Sequence, residues 1–315
     1  MNILFVDTVH PILSQRLTSA GLNCMHFEQE TNEEIFEKLK TCDGLVIRSR
    51  FPLDENRLKM CANLKFIARS GAGMENIDVE YCAKKGIQLF NSPEGNRNAV
   101  GEHALGMLLS LMNHLHTGHQ EILNGVWDRE GNRGDELDGK TVGIIGYGNN
   151  GSAFAKKLRG FDVKVLAYDK YKTDFGDHFV MESTLEAIQS QADVISFHIP
   201  QNEETVYFFN EAFLNKCEKP IYLLNLSRGK IICIKDLVKG FNNDQILGAG
   251  LDVLEYEDKS FENFFESELP MDFIDLVKNK NLILSPHVGG WSGQSYLKLS
   301  DVLADKILTA LHREN

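Results

Sequence analysis

Short apolar runs recur along this chain, and stretches with helical spacing of apolar residues separate them. In the first third, the runs at 3–6, 22–27, 44–47, 65–68 and 87–90 predict strands, while 11–20, 32–40 and 79–85 predict helices between or beside them. Strands that alternate with helices in this way belong to a parallel sheet. From 98 to 115, Ala99, Ala104, Leu105, Leu108, Leu109 and Met112 give one broad apolar face, the longest helical pattern in the chain. The polar stretch 118–139 then predicts a loop. The alternation resumes with strands at 141–145, 163–168, 193–197, 221–225, 246–251 and 282–284, and an amphipathic helix over 295–312 closes the chain. The pattern predicts an α/β protein of two parallel-sheet domains, Rossmann-like or flavodoxin-like, the second with the six strands of a doubly wound fold.

The strand at 141–145 carries the most specific signal. Val142, Ile144 and Ile145 run directly into Gly146-x-Gly148-x-x-Gly151, and Ala153, Phe154 and Leu158 continue at helical spacing. Strand, tight turn and helix follow one another. In such a unit Gly146 permits the turn, Gly148 admits a pyrophosphate against the backbone, and Gly151 lets the helix lie close to the strand. The phosphates would meet the unpaired N–H groups and the dipole of the helix N-terminus. Three spaced glycines also occur in ordinary turns, but Asp169 ends the next strand, 23 positions after Gly146. An acidic residue about 20 positions on bonds the adenosine ribose and disfavours a 2′-phosphate, so the reading is an NAD site. Asp169 is expected to accept from both ribose hydroxyls, with Lys170 and Lys172 close enough to soften its charge.

Composition narrows the partners. The chain has 315 residues, 43% hydrophobic and 25% charged, and 33 basic against 45 acidic residues leave a net charge of −12. That charge repels a phosphate backbone, and no cluster of Lys and Arg relieves it, which argues against nucleic acid. No apolar run reaches 18 residues, and the opening Met-Asn-Ile-Leu-Phe-Val-Asp7 reads as a strand rather than a signal peptide, so no membrane contact and a cytoplasmic location are expected. Six cysteines without a C-x-x-C pair read as reduced thiols. His114, His116 and His119 lack nearby Cys or carboxylate ligands and read as helix surface, with no metal expected.

Ligands of open α/β sheets sit outside the carboxyl ends of the strands. In the first domain these ends carry Arg48-Ser49-Arg50 and Arg69-Ser70-Gly71-Ala72-Gly73, which suit an anionic substrate, although charged surface loops are common. In the second they carry His198-Ile199-Pro200 with Thr205, Asn225-Leu226-Ser227-Arg228-Gly229, Asp252 to Glu257, and Pro286-His287-Val288-Gly289-Gly290. Arg, Glu and His together suit hydride transfer on a hydroxy acid. A planar Arg fork clamps a carboxylate, a His exchanges the hydroxyl proton, and a carboxylate stabilises the imidazolium. From the residues alone this trio is one choice among several polar groups.

Those blocks, in that order and across nearly the whole chain, resemble the D-isomer-specific 2-hydroxyacid dehydrogenases, and most closely their D-3-phosphoglycerate dehydrogenase branch. The resemblance implies a catalytic trio of Arg228, Glu257 and His287. It implies NAD contacts at Ala72, Gly146, Gly148, Asn149, Asn150, Gly151, Asp169, His198, Ile199, Pro200, Leu226, Ser227, Arg228, Asp252, His287, Gly289 and Gly290. Substrate contacts are implied at Arg48, Ser49, Arg69, Ser70, Gly71 and Arg228, with Arg129 reaching a partner's cleft in a homodimer. The implied reaction is oxidation of 3-phospho-D-glycerate to 3-phosphohydroxypyruvate in serine biosynthesis. The alternatives are a glyoxylate/hydroxypyruvate or D-lactate-type reductase, or an NAD(H)-sensing corepressor. Formate dehydrogenases of the same fold lack the Glu that pairs with His. Two positions depart from the family pattern: Asn150 where an apolar residue is usual, and Ile199 where a hydroxyl is frequent. No serine-sensing regulatory domain is expected. The domains implied are 1–97 with 287–315, for substrate, and 98–286, for NAD, with a cleft between them that closes on substrate.

Overall fold

The structure is a computed structural model and describes residues 1–257 and 268–313. The chain forms two compact units, Met1–Asn96 with the chain from Trp291 onward, and Arg97–Gly290.

In the first unit the strands are β1 (Asn2–Phe5), β2 (Asn23–His26), β3 (Gly44–Ile47), β4 (Phe66–Arg69) and β5 (Gln88–Asn91), and among the described residues they form one sheet in the order β2-β1-β3-β4-β5. Every pairing is parallel, so each connection crosses over a face of the sheet, and helices make the crossings. Local chemistry starts them. Thr31 and Glu34 close a reciprocal capping box before Asn32–Leu39, and Asp54 and Asp78 cap Glu55–Lys59 and Val79–Lys85. Successive residues of a strand face opposite layers. Leu4, Leu45, Ile47 and Ile67 accordingly join Ile35 and Leu39 on one side, and Ile3, Phe5, Val46, Phe66 and Ala68 join Leu13 and Leu17 on the other. The second layer is completed by Leu303, Ala304 and Ile307 of the helix Gly293–Arg313, which Arg16 also ties down through Asp301 at 2.6 Å.

The second unit carries β6 (Thr141–Ile145), β7 (Lys164–Tyr168), β8 (Val180–Glu182), β9 (Val194–Phe197), β10 (Ile221–Asn225), β11 (Ile246–Leu251) and β12 (Leu282–Leu284). Their order is β12-β11-β10-β9-β6-β7-β8, again parallel. The strand order reverses at β6, between β7 and β9, which is where a doubly wound sheet opens a crevice. β6, β9 and β10 are buried along their whole length, as their apolar runs require.

Several elements differ from the sequence expectation, which lacks the short helix Glu55–Lys59. β8 is an added edge strand: Val180 is buried but Met181 and Glu182 face water, so no apolar run announces it. The long helix begins earlier than expected and spans Pro93–Met112, with Pro93 at a first-turn position that needs no N–H. It stops because His114 adopts a left-handed φ of 52°. A second helix, Leu115–Leu123, then occupies the start of the stretch expected as loop. That helix buries no residue within this chain and leaves Leu115, Ile122 and Leu123 exposed, so no buried apolar face announces it.

Candidate active site

The turn after β6 shows what each glycine is for. Gly146 has φ +93°, and a Cβ there would lie 2.7 Å from the His198 carbonyl oxygen and 2.9 Å from Ile199 Cγ2. A Cβ on Gly151 would lie 2.0 Å from the Gly146 carbonyl oxygen, so the helix Asn149–Leu158 can reach β6 only without one. At Gly148 a Cβ would meet nothing within 4 Å, and no side chain caps the helix N-terminus behind it. Open space therefore faces unpaired N–H groups, which is an anion cradle. In the same turn Asn150 Oδ1 is buried without a partner among the described residues, and Asn149 Oδ1 has only a long contact, 3.4 Å, from Arg97 Nη1.

Asp169 ends β7 beside this turn. Its Oδ2 accepts from the Tyr147 N–H at 2.8 Å, and its Oδ1 from the N–H groups of Tyr171 at 2.9 Å and Lys172 at 3.1 Å. Three of the roughly four lone-pair sites of a carboxylate are thus used by the turn itself. The carboxylate pins the turn as well as presenting charge.

After β9, His198 lines the turn through its main chain, with its N–H on the Ile145 carbonyl at 2.8 Å. Its ring points inward against Phe154, with Nε2 2.8 Å from Ser196 Oγ and Nδ1 without a partner among the described residues. Burial pushes this imidazole down to about 4. Any contact from His198 to a cofactor is therefore a backbone one. Pro200 accepts from Thr205 Oγ1 at 2.7 Å, which folds the loop back on itself.

The loop after β10 is held by Asn225, whose Oδ1 accepts from Ser227 N at 3.1 Å and Ser227 Oγ at 2.7 Å, and whose Nδ2 donates to the Arg228 carbonyl at 3.0 Å. Leu226 is buried beneath it. Arg228 Nη1 donates to the Ser227 carbonyl at 2.6 Å. A Cβ on Gly229 would lie 1.9 Å from the Leu254 carbonyl oxygen, so this glycine packs the Arg228 loop against the loop that carries Glu257.

Glu257 and His287 come together. Glu257 Oε2 lies 2.8 Å from His287 Nδ1, and Oε1 accepts from the Leu254 N–H at 2.5 Å. Both groups are largely buried, at 16% and 25% side-chain exposure, so water screens the pair only partly. His287 has φ 54°, a strained choice for a side chain of this size, and Asp252 sustains it. Asp252 is 2% exposed; its carbonyl takes the His287 N–H at 2.9 Å, Oδ1 takes Val288 N at 2.8 Å and Ser285 Oγ at 2.5 Å, and Oδ2 takes Gly289 N at 2.7 Å. The expected cofactor residue Asp252 thus spends both oxygens on the turn that carries His287, Gly289 and Gly290. His103, from the helix Pro93–Met112, completes the chain at 3.0 Å from Ser285 Oγ. Because Ser285 gives its single proton to Asp252, it accepts from His103 Nε2–H. His103 and Ser285 carry no sequence signal: they lie 182 positions apart and each is an ordinary polar residue of its element.

The first unit holds the arginine loops. Asp7 Oδ2 gathers the N–H groups of Arg48, Ser49 and Arg50 at 2.6, 3.1 and 3.3 Å. Arg48 lies 4.3 Å over the Trp291 ring, and Arg69 Nε donates to the Arg48 carbonyl at 3.2 Å. The Arg69 guanidinium covers Gly71, where a Cβ would lie 1.8 Å from Nη1. Ser70 is buried and Ala72 accepts from Asn91 Nδ2 at 2.7 Å. Arg50 instead clamps strand ends, donating to the carbonyls of Val6, Phe27, Glu28 and Glu30. In the second unit Arg129 stands exposed near Trp127, and Arg133 pairs with Glu130 in water at 2.8 Å. His116 bonds the carbonyls of Ser110 and Lys280, and no group of three metal-ligating side chains occurs among the described residues.

The profile of the family described as "D-isomer specific 2-hydroxyacid dehydrogenase, NAD binding domain" matches residues 105–289. The D-3-phosphoglycerate dehydrogenase of Rattus norvegicus is 29% identical over 96% of this chain, and the match spans 55% of that protein, so the chain covers about half of its length. The hydroxypyruvate reductase of Thermotoga maritima is 31% identical, with 90% of each chain covered. A solved D-lactate dehydrogenase of Aquifex aeolicus, complexed with NAD and lactic acid, superimposes with a TM-score of 0.81 at 25% identity, covering all of this chain and 96% of the other. The residues here fit such a cofactor: the open N–H cradle at Gly148, the orphaned Asn150 Oδ1 and the remaining acceptor site on Asp169 are all groups awaiting a polar partner.

Proposed function

The chain belongs to the D-isomer-specific 2-hydroxyacid dehydrogenases, and from that premise we propose that it interconverts 3-phospho-D-glycerate and 3-phosphohydroxypyruvate. The observation that carries the chemistry is the 2.8 Å pair of His287 and Glu257. With Nδ1 held by the carboxylate, proton exchange with the substrate oxygen falls to Nε2. In oxidation His287 takes the hydroxyl proton and Glu257 stabilises the imidazolium; in reduction the imidazolium returns that proton to the developing alkoxide. Arg228 holds the substrate carboxylate as a planar fork. Bound at the glycine turn, NAD⁺ would accept the hydride in oxidation and NADH would supply it in reduction.

The phosphate is the finer part of the proposal. Arg48 and Arg69 end neighbouring strands and both are pre-oriented, one by Trp291 and one through Nε, which favours a dianionic group over a neutral terminus. The second reading, a hydroxypyruvate reductase, is favoured by the match to the Thermotoga maritima enzyme, which covers 90% of each chain. We further propose a homodimer in the cytoplasm. Leu115, Ile122, Leu123, Val126 and Trp127 expose apolar surface in one stretch, and all six cysteines are free thiols. NADH consumption by the purified protein with 3-phosphohydroxypyruvate, hydroxypyruvate, glyoxylate and pyruvate tests the assignment. The highest kcat/KM should fall on 3-phosphohydroxypyruvate; a preference for hydroxypyruvate would move it to the second reading.

A further inference from the structure

Asp169 alone does not settle which dinucleotide fits the end of β7. Its three accepted N–H bonds use most of its capacity, and two cations follow it at once, Lys170 and Lys172. Counted locally, one carboxylate against two ammonium groups would attract a 2′-phosphate rather than repel it. The structure answers both cations. Lys172 Nζ donates to the Tyr147 carbonyl at 3.1 Å, across the glycine turn. Lys170 Nζ meets Glu204 Oε2 at 2.5 Å, and Tyr171 Oη donates to the same oxygen at 3.4 Å.

Glu204 comes from a different element, the loop after β9, 34 positions away. Its place is fixed by the loop's own bonds: Asn202 Oδ1 accepts the Glu204 N–H at 3.0 Å and the Thr205 N–H at 3.1 Å, and Thr205 Oγ1 donates to Pro200. The Glu204 side chain takes no part in those bonds, so it is available to Lys170. The pair raises the lysine and lowers the carboxyl from their ordinary values, each through the other's hydrogen bond first. With Glu204 the four charges of this corner cancel; without it they leave one positive charge where a 2′-phosphate would arrive.

We propose that Glu204 is a cofactor-specificity residue: by holding Lys170 it keeps this corner from accepting the 2′-phosphate of NADP. The inference rests on the reading that NAD binds with its adenosine ribose at Asp169. Both side chains are half exposed, at 52% and 59%, so the pair is a weak one and the effect is a matter of severalfold.

Calorimetric titration of the whole protein with NAD⁺ and NADP⁺ at low ionic strength tests it, because low salt leaves these surface charges least screened. Glu204→Gln should tighten NADP⁺ about threefold to fivefold while NAD⁺ changes by less than about twofold, the range an exposed ion pair supports. Adding Lys170→Ala to that variant should return NADP⁺ affinity to the parent's level or below. NADP⁺ affinity that does not change, or that rises in step with NAD⁺, overturns the role of Glu204 while the parent's NAD⁺ binding stands. A parent that binds neither dinucleotide overturns the cofactor reading and the inference together.

Discussion

His287 is held by two different kinds of contact, and the difference separates its chemistry from its placement. Glu257 touches the ring, whereas Asp252 holds the turn around it through the N–H groups of Val288 and Gly289 and the Ser285 hydroxyl. Replacing His287 by Ala should lower the rate on the order of 10²–10⁴, the usual worth of a positioned acid or base. Glu257→Gln keeps the hydrogen bond but loses the charge that favours imidazolium. Reduction needs that protonated form, so kcat for reduction should fall in the variant with KM little changed, and an unchanged kcat would remove Glu257 from the role. His198 plays a different part. Burial pushes its ring down to about 4 when folded, against about 6.5 in the unfolded chain, so the unfolded chain takes the proton first as the pH falls. The contribution is complete above about pH 6.5 and is lost towards pH 4, about 3 kcal/mol in all. Thermal melts between pH 7 and pH 5 should fall more steeply for the parent than for His198→Asn; parallel slopes would contradict this.

Whole elements were legible where their residues answer to one environment. β6, the glycine turn and the helix Asn149–Leu158 stand as the spacing of Gly146, Gly148 and Gly151 predicts, because backbone approach alone dictates those glycines. β8 was not legible, since an edge strand with Met181 and Glu182 in water has no apolar run to read. Nor was Leu115–Leu123, which buries nothing within the chain. The loops at strand ends showed which residues are chemical but not how they divide the work. Asp169 and Asp252 read as ligand contacts, and only the folded geometry shows that most of their bonds hold turns in place. The link from the helix Pro93–Met112 to the His287 turn, through His103 and Ser285, was likewise hidden by its sequence separation. It carries its own expectation. His103→Leu leaves the Ser285 acceptor unmet and should cost about 1–3 kcal/mol of stability, read as a lower melting temperature. An unchanged melt would show that the link supports nothing.

For the whole molecule, the exposed apolar run from Leu115 to Trp127 and the arginines of the first unit make separate claims. Trp127 is 79% exposed and Leu123 67%, more apolar surface than one stretch of chain keeps in water without cause. Sedimentation should find a dimer, and Leu123→Asp combined with Trp127→Asp should yield monomers; a monomeric parent would contradict the assembly. The central claim, that the substrate is a phosphorylated 2-hydroxy acid, is tested most directly by one comparison. Arg69→Ala removes a fork that is tethered at Nε to the Arg48 carbonyl and stands at the end of β4, while Arg228 and the His287–Glu257 pair stay in place. The ratio of kcat/KM for 3-phosphohydroxypyruvate to that for hydroxypyruvate should then drop at least tenfold, about the loss of one charge-assisted bond to phosphate. Equal losses on the two substrates would contradict the account.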